Sequence, residues 1–283
     1  MERYGSGEDH GVEARMSARI YPDVSILLTL DFEQEPLLRK CNIFKESLQR
    51  SNITCYLLST AKAMRDSIAH EVVEAGGNAL RGLWHHLCMF KGAGIPHVLE
   101  KAVLTEADLP SIQSFFRQKI KAQQRDLSKS QVQIVEVWTI DVFREMEIAY
   151  KGEIPLMDYL KRLSVLLNEY YVEAKNALLR TNSELRLQEE EPVDPRWTDM
   201  SVLEKALRQV GFNDKEDLGH VACLTWLKQY KGYVPIFATA DRELYECKDI
   251  IYDMTGVIVE DALYAVGTYR SVTQKPWPVK KVG

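Results

Sequence analysis

No stretch of this 283-residue chain approaches the roughly 20 consecutive apolar residues that a membrane-spanning helix needs. The first residues carry no short apolar run of the secretory kind, so a soluble, cytoplasmic protein with no membrane partner is expected. The five cysteines, Cys41, Cys55, Cys88, Cys223 and Cys247, are odd in number, scattered and never spaced as CxxC. That spacing argues against a disulfide framework and a thiolate zinc site. Most are set among apolar neighbours and read as buried thiols. Excess positive charge is missing too: 36 Lys and Arg face 41 Asp and Glu, a net charge of −5. Bulk electrostatics will not draw such a chain onto nucleic acid. A nucleic-acid role needs a local basic patch, or metal ions that offset local acids.

Several motifs stop short of their chemistry. "HEVVE" (70–74) matches the zinc-protease pattern HExxH until Glu74 takes the place of the second histidine. "KGAGIP" (91–96) lacks the Lys-Ser/Thr end of a phosphate-binding loop. His85 and His86 are adjacent, so on a helix they point about 100° apart. With Cys88 and His97 they read as ordinary surface or core residues.

The composition that remains is globular, 46% hydrophobic and 27% charged. Residues 1–20 are polar and Gly-rich and are expected to be a disordered tail, with Met16 a candidate start. "VSILLTLD" (24–31) is a near-continuous apolar run ending in an acid, which suits a strand buried on both faces. A helical stripe follows over 36–52. "ITCYLLST" (53–60) reads as a second strand, and the helix after it is expected to end at Gly76 and Gly77. Residues 81–201 read as a mainly helical block, with "QVQIVEVWTIDVF" (131–143) open between helix and strand. "QEEEPVDPRWTD" (188–199) reads as a linker. An α/β pattern returns over 202–272: helices at 201–211 and 215–232, the strand "VPIFATAD" (234–241), a helix at 242–256 and a last strand within 257–266. Residues 273–283 read as a flexible basic tail. The expected architecture is therefore α/β, with 21–80 and 202–272 forming one domain around a parallel sheet and 81–201 inserted into it.

In open parallel sheets, ligands gather outside the carboxyl ends of the strands. Asp31 and Asp241 fall at such ends, Asp66 lies two turns into the helix after the second strand, and Asp217 opens a later helix. Four carboxylates converging on one rim repel one another unless a cation joins them. An oxygen-only site suits Mg²⁺ or Mn²⁺, and phosphodiester hydrolysis is the natural reaction for it. Thr239 is placed to orient Asp241 or a water. Asp214 and Glu216 are alternatives to Asp217.

"EDLGHVACLTWL" (216–227) followed by "VPIFATADREL" (234–244) resembles the C-terminal half of a PIN domain. In that family an aspartate opens a helix with small residues a turn later. An apolar strand then ends in Thr or Ser, any residue, Asp and a short helix. Asp217 with Ala222, and Thr239-Ala240-Asp241 with Leu244, fit those positions. "VSILLTLD" and "CYLLSTAKAMRDSI" (55–68) look like the family's first strand and its second strand and helix, with Asp31 and Asp66 as their acids. The family usually has Glu where Asp66 stands, and Ser, Thr or Asn where Glu33 follows Asp31. The resemblance covers about half the chain. It implies a PIN-like three-layer sandwich with a central, mainly parallel sheet. It also implies a Mg²⁺- or Mn²⁺-dependent nuclease in which Asp31, Asp66, Asp217 and Asp241 are the catalytic and metal-binding residues. RNA is the implied substrate, with DNA as the other candidate. The alternative is a catalytically degenerate PIN-like module that binds RNA or a protein partner through the helical insertion.

The insertion offers a basic stripe. Arg117, Lys121, Arg125 and Lys129 recur every four residues, as positions on one slowly drifting helix face do. Beside an acidic metal site such a stripe can hold a phosphate backbone. The long helical pattern over 155–188 has an apolar stripe to bury, within the protomer or in a homo-oligomer.

Overall fold

The computed structural model describes residues 17–33, 36–92, 100–122 and 153–274. The chain enters as strand β1 (Ala18–Pro22), so residues 18–20, expected in the tail, belong to the sheet. The run expected as the first strand is instead helix α1 (Val24–Phe32), capped by Asp23 and ended by Glu33 in the left-handed region at φ 50°. Seven of its nine residues are buried. A helix wrapped on all sides shows no 3.6-residue period and is apolar throughout, as a buried strand is. Helix α2 (Leu38–Ser51) follows, then β2 (Tyr56–Leu57) and α3 (Ser59–Gly92).

α3 does not stop at Gly76 and Gly77. A Cβ built on Gly77 would collide with the hydroxyl of Tyr171, so the missing side chain makes room for a crossing helix. The antiparallel pair β3 (Val103–Leu104) and β4 (Ile154–Pro155) brackets α4 (Leu109–Ala122). Then come α5 (Leu156–Glu184), β5 (Gln188–Glu189), α6 (Ser201–Gln209) and α7 (Lys215–Lys231). Strand β6 (Val234–Thr239) is buried at every position. The stretch 242–256, expected as one helix, is two short ones, α8 (Arg242–Glu246) and α9 (Lys248–Thr255), meeting at Cys247. β7 (Ile258–Asp261) and α10 (Ala265–Gln274) complete the described chain. Residues 1–16, 131–143 and 275–283 lie outside the described residues.

The fold is mixed α/β around a small parallel sheet. β6 lies between β1 and β7, parallel to both, with Pro22 opposite Ala238 and Thr239 opposite Asp261. β2 pairs in parallel with β5, and a single parallel bridge from Ile20 to Cys55 ties that pair to β1. Parallel strands buried on both faces need a core around them. Ile20, Tyr21, Leu27, Phe44, Leu224, Ile236 and Phe237 form it.

A second core, with Val72, Leu83, Phe116, Leu160 and Leu163 in it, joins the far part of α3 to α4 and α5. Leu28 and Ile68 pack against both cores. The helical block thus grows out of α3, which crosses residue 80 unbroken, and returns through α5. Among the described residues no helix is long and apolar enough to cross a membrane.

Arg65 bolts the two parts together. Its Nε and Nη2 donate to the two carboxylate oxygens of Asp31 at 2.7 and 2.6 Å. Nη1 donates to Asn182 Oδ1 at 2.6 Å, and Nη2 also reaches the Leu178 carbonyl at 3.1 Å. Arg65 and Asp31 are both buried, so the pair ties α1, α3 and α5 where water cannot compete.

Candidate metal centre

β1 and β6 run in parallel and stop level with one another, so the residues after them share one edge of the sheet. Those residues are Asp23 and Ala240-Asp241. The Asp23 amide extends the ladder by donating to the Ala238 carbonyl at 2.8 Å. Its carboxylate caps α1: Oδ1 accepts from the Val24 amide at 2.6 Å. Oδ2 accepts from Ser25 Oγ at 2.5 Å and from Thr239 Oγ1 at 2.9 Å. Thr239 Oγ1 in turn accepts from the Asp241 amide at 2.9 Å, and Ser25 Oγ from the Ala240 amide at 3.2 Å. Each hydroxyl spends its one proton on Asp23 and takes a backbone amide on its lone pair. Two strand ends and a helix start are locked around one carboxylate.

α7 begins at the same edge. Asp214 caps it, accepting from the amides of Glu216 and Asp217 at 2.8 and 3.1 Å. Asp217 and His220 are one turn apart and share a face. One carboxylate oxygen each of Asp23 and Asp217 and a ring nitrogen of His220 lie within 4.8 Å of one another. The three side chains are 3%, 8% and 2% exposed, so water does little to screen them.

The electrostatics follow from that burial. Asp217 is pushed up to about 8, first by loss of solvation and then by the charges of Asp23, Asp214, Asp241 and Glu216. Burial lowers His220, against the opposing pull of Asp23 and Asp214. Among the described residues no ion pair reaches Asp23 or Asp217. His220 Nδ1 lies 2.9 Å from Thr60 Oγ1, and its ring stands edge-on to Phe237 at 6.1 Å. Its Nε2 is buried and has no hydrogen-bond partner among the described residues. A buried imidazole with one unpartnered nitrogen, set within reach of two carboxylates that repel one another, is a donor set that fits a divalent cation. A cleft of about 540 Å³ opens beside His220, with Thr60, Met64, Ser67, Pro195 and Lys215 in its walls.

The residues expected at this rim are placed as follows. Asp217 is in the group. Asp241 caps α8, accepting from the amides of Glu243 and Leu244 at 2.7 and 3.4 Å, and is near enough to raise Asp217. Asp31 is a correction: it lies at the far end of α1 and both its oxygens are engaged by Arg65. Asp66 is exposed on α3, where its charge acts on Lys62, and it is not in the group. Arg117 and Lys121 are exposed on α4, while Arg125 and Lys129 lie outside the described residues.

Asp23 and His220 are the two members that the sequence reading missed. Asp23 had a signal, since an Asp directly before an apolar helical run is a common N-cap. His220 had a weaker one, its i, i+3 spacing from Asp217. Comparisons with protein-family models, with curated proteins and with solved structures gave no match for this chain.

Proposed function

We propose that this protein is a PIN-like, divalent-metal-dependent nuclease that hydrolyses phosphodiester bonds in RNA. The observation that carries the reading is the meeting of Asp23, Asp217 and His220 at the carboxyl edge of a parallel sheet, with Asp241 beside them. Moving the first acid from Asp31 to Asp23 also strengthens the family resemblance. The residue two places on is then Ser25, of the type that family favours there, instead of Glu33.

In this reading Asp23 and Asp217 hold the ion, with Asp241 contributing charge at the rim. A divalent cation, when bound, supplies Lewis acidity to a phosphate oxygen and acidifies water. The chain's own residues do the rest. Ser25 and Thr239 fix the Asp23 carboxylate, so no reorganisation is needed when substrate arrives. Lys215, an exposed residue lining the cleft, presents a cation to the anionic diester. Thr60, Ser67 and the apolar Met64 and Ile68 line a space beside His220 that can accept a nucleotide. Arg117 and Lys121 are the exposed candidates for more distant backbone phosphates.

A second reading, a module that binds RNA or a protein partner without cutting, is favoured by Asp66 standing outside the group. One assay separates the two. End-labelled single-stranded RNA and DNA are incubated with the chain in Mn²⁺ and in EDTA. The nuclease reading expects RNA cleavage that EDTA stops and Asp217→Asn abolishes. RNA binding without cleavage supports the second reading, and cleavage that survives Asp217→Asn refutes the catalytic assignment.

A further inference from the structure

Resting on the metal-dependent reading above, we infer that the site selects a first-row transition cation over Mg²⁺, because His220 is a ligand and not a packing residue. An oxygen-only rim would favour Mg²⁺, which takes oxygen donors and keeps much of its water. An imidazole in the coordination shell changes that preference toward ions that accept nitrogen.

Three observations make His220 a ligand. A ring nitrogen lies within 4.8 Å of carboxylate oxygens from two different elements, Asp23 after β1 and Asp217 in α7. The residue is 2% exposed and its Nε2 bonds to nothing among the described residues. A buried nitrogen left so costs stability that a cation would return. Thr60 Oγ1 holds Nδ1 at 2.9 Å, which pins the ring and leaves Nε2 as the nitrogen free to coordinate. Metal-binding histidines are oriented in this way by a partner on their other nitrogen, which makes Thr60 a positioning residue.

Metal binding to the full chain tests this without reference to activity. Melting temperature is followed as Mg²⁺, Mn²⁺ or Co²⁺ is titrated, and Co²⁺ is also followed by its visible absorption. Mn²⁺ and Co²⁺ are expected to stabilise the chain at concentrations roughly tenfold or more below those Mg²⁺ requires. His220→Asn replaces the imidazole nitrogens with an amide oxygen donor. It is expected to bring the Mg²⁺ and Mn²⁺ midpoints together and to change the Co²⁺ spectrum. Thr60→Val leaves every ligand in place and is expected to weaken Mn²⁺ binding about 10–100-fold. Should His220→Asn fail to fold, the wild-type Mg²⁺-to-Mn²⁺ ratio and the Thr60→Val shift decide. Equal midpoints for the ions in the wild type, or unchanged selectivity in His220→Asn, overturn the inference and leave the metal-dependent reading standing. No response to any of the ions overturns both.

Discussion

Among the described residues two places bury aspartates, and they treat the charge in opposite ways. At the junction of α1, α3 and α5, Asp31 meets Arg65 in a two-point ion pair, and Asn182 takes up another of the guanidinium's donors. At the carboxyl edge of the sheet, Asp23 and Asp217 approach one another with His220 beside them and, among the described residues, no Lys or Arg paired to either. Loss of solvation, then the neighbouring carboxylates, pushes Asp217 up to about 8. The first arrangement is complete within the chain, so its role is to hold two cores together. The second lacks a positive charge. Burial alone therefore does not mark a functional acid: the mark is buried charge that the protein leaves unmatched.

That contrast can be broken at several points. The largest effect on stability is expected from Arg65→Met, which strands the Asp31 carboxylate in the core. Losing one partner of a buried pair costs about 3–5 kcal/mol, readable as a shifted urea midpoint. Asp217→Asn at the other site is expected to do the reverse in metal-free protein at pH 8, raising the midpoint by removing a repelled charge. Thr239→Val is expected to cost about 1–3 kcal/mol, because the Asp23 carboxylate and the Asp241 amide both lose a buried partner.

A smaller and graded effect concerns pH. The folded-state pKa of Asp217 lies above the 3.8 of an ordinary aspartate, so over that interval the folded chain binds more protons than the unfolded one. The contribution is fully present below pH 4 and is lost as pH rises toward 8. Metal-free protein should lose up to about 1.4 kcal/mol per pH unit across that window from this group. Asp217→Asn should flatten the slope in urea titrations run in EDTA, and an unchanged slope would show that burial and the neighbouring carboxylates do not raise Asp217.

Much of the α/β frame was legible in the sequence. β6 and β7, the helix opening at Asp217 and the long α5 stand where periodicity and turn residues put them. The failures have physical causes. α1 is apolar on every side, so its letters carry no helical period, and its closing acid imitates a strand end. The true first strand, "ARIYP", is short, contains Arg19 and ends in Pro22, and so has little strand character of its own. It is held instead by pairing with β6. Gly76 and Gly77 looked like a helix end because an isolated segment would fray there. In the fold, Tyr171 of the crossing α5 fills the space that Gly77 leaves. The acids show the same division. Asp217 and Asp241 sit in motifs whose local sequence fixes their position. Whether Asp31 or Asp23 joined them depended on where one strand began, and the Arg65 that claims Asp31 lies 34 residues away in sequence.

The account turns on the identity of the first acid, and RNA cleavage in Mn²⁺ by Asp23→Asn and Asp66→Asn tests it most directly. Asp23→Asn is predicted to reduce cleavage to background while Asp66→Asn, altered at an exposed position, stays near the wild-type rate. Wild-type cleavage by Asp23→Asn would contradict the account.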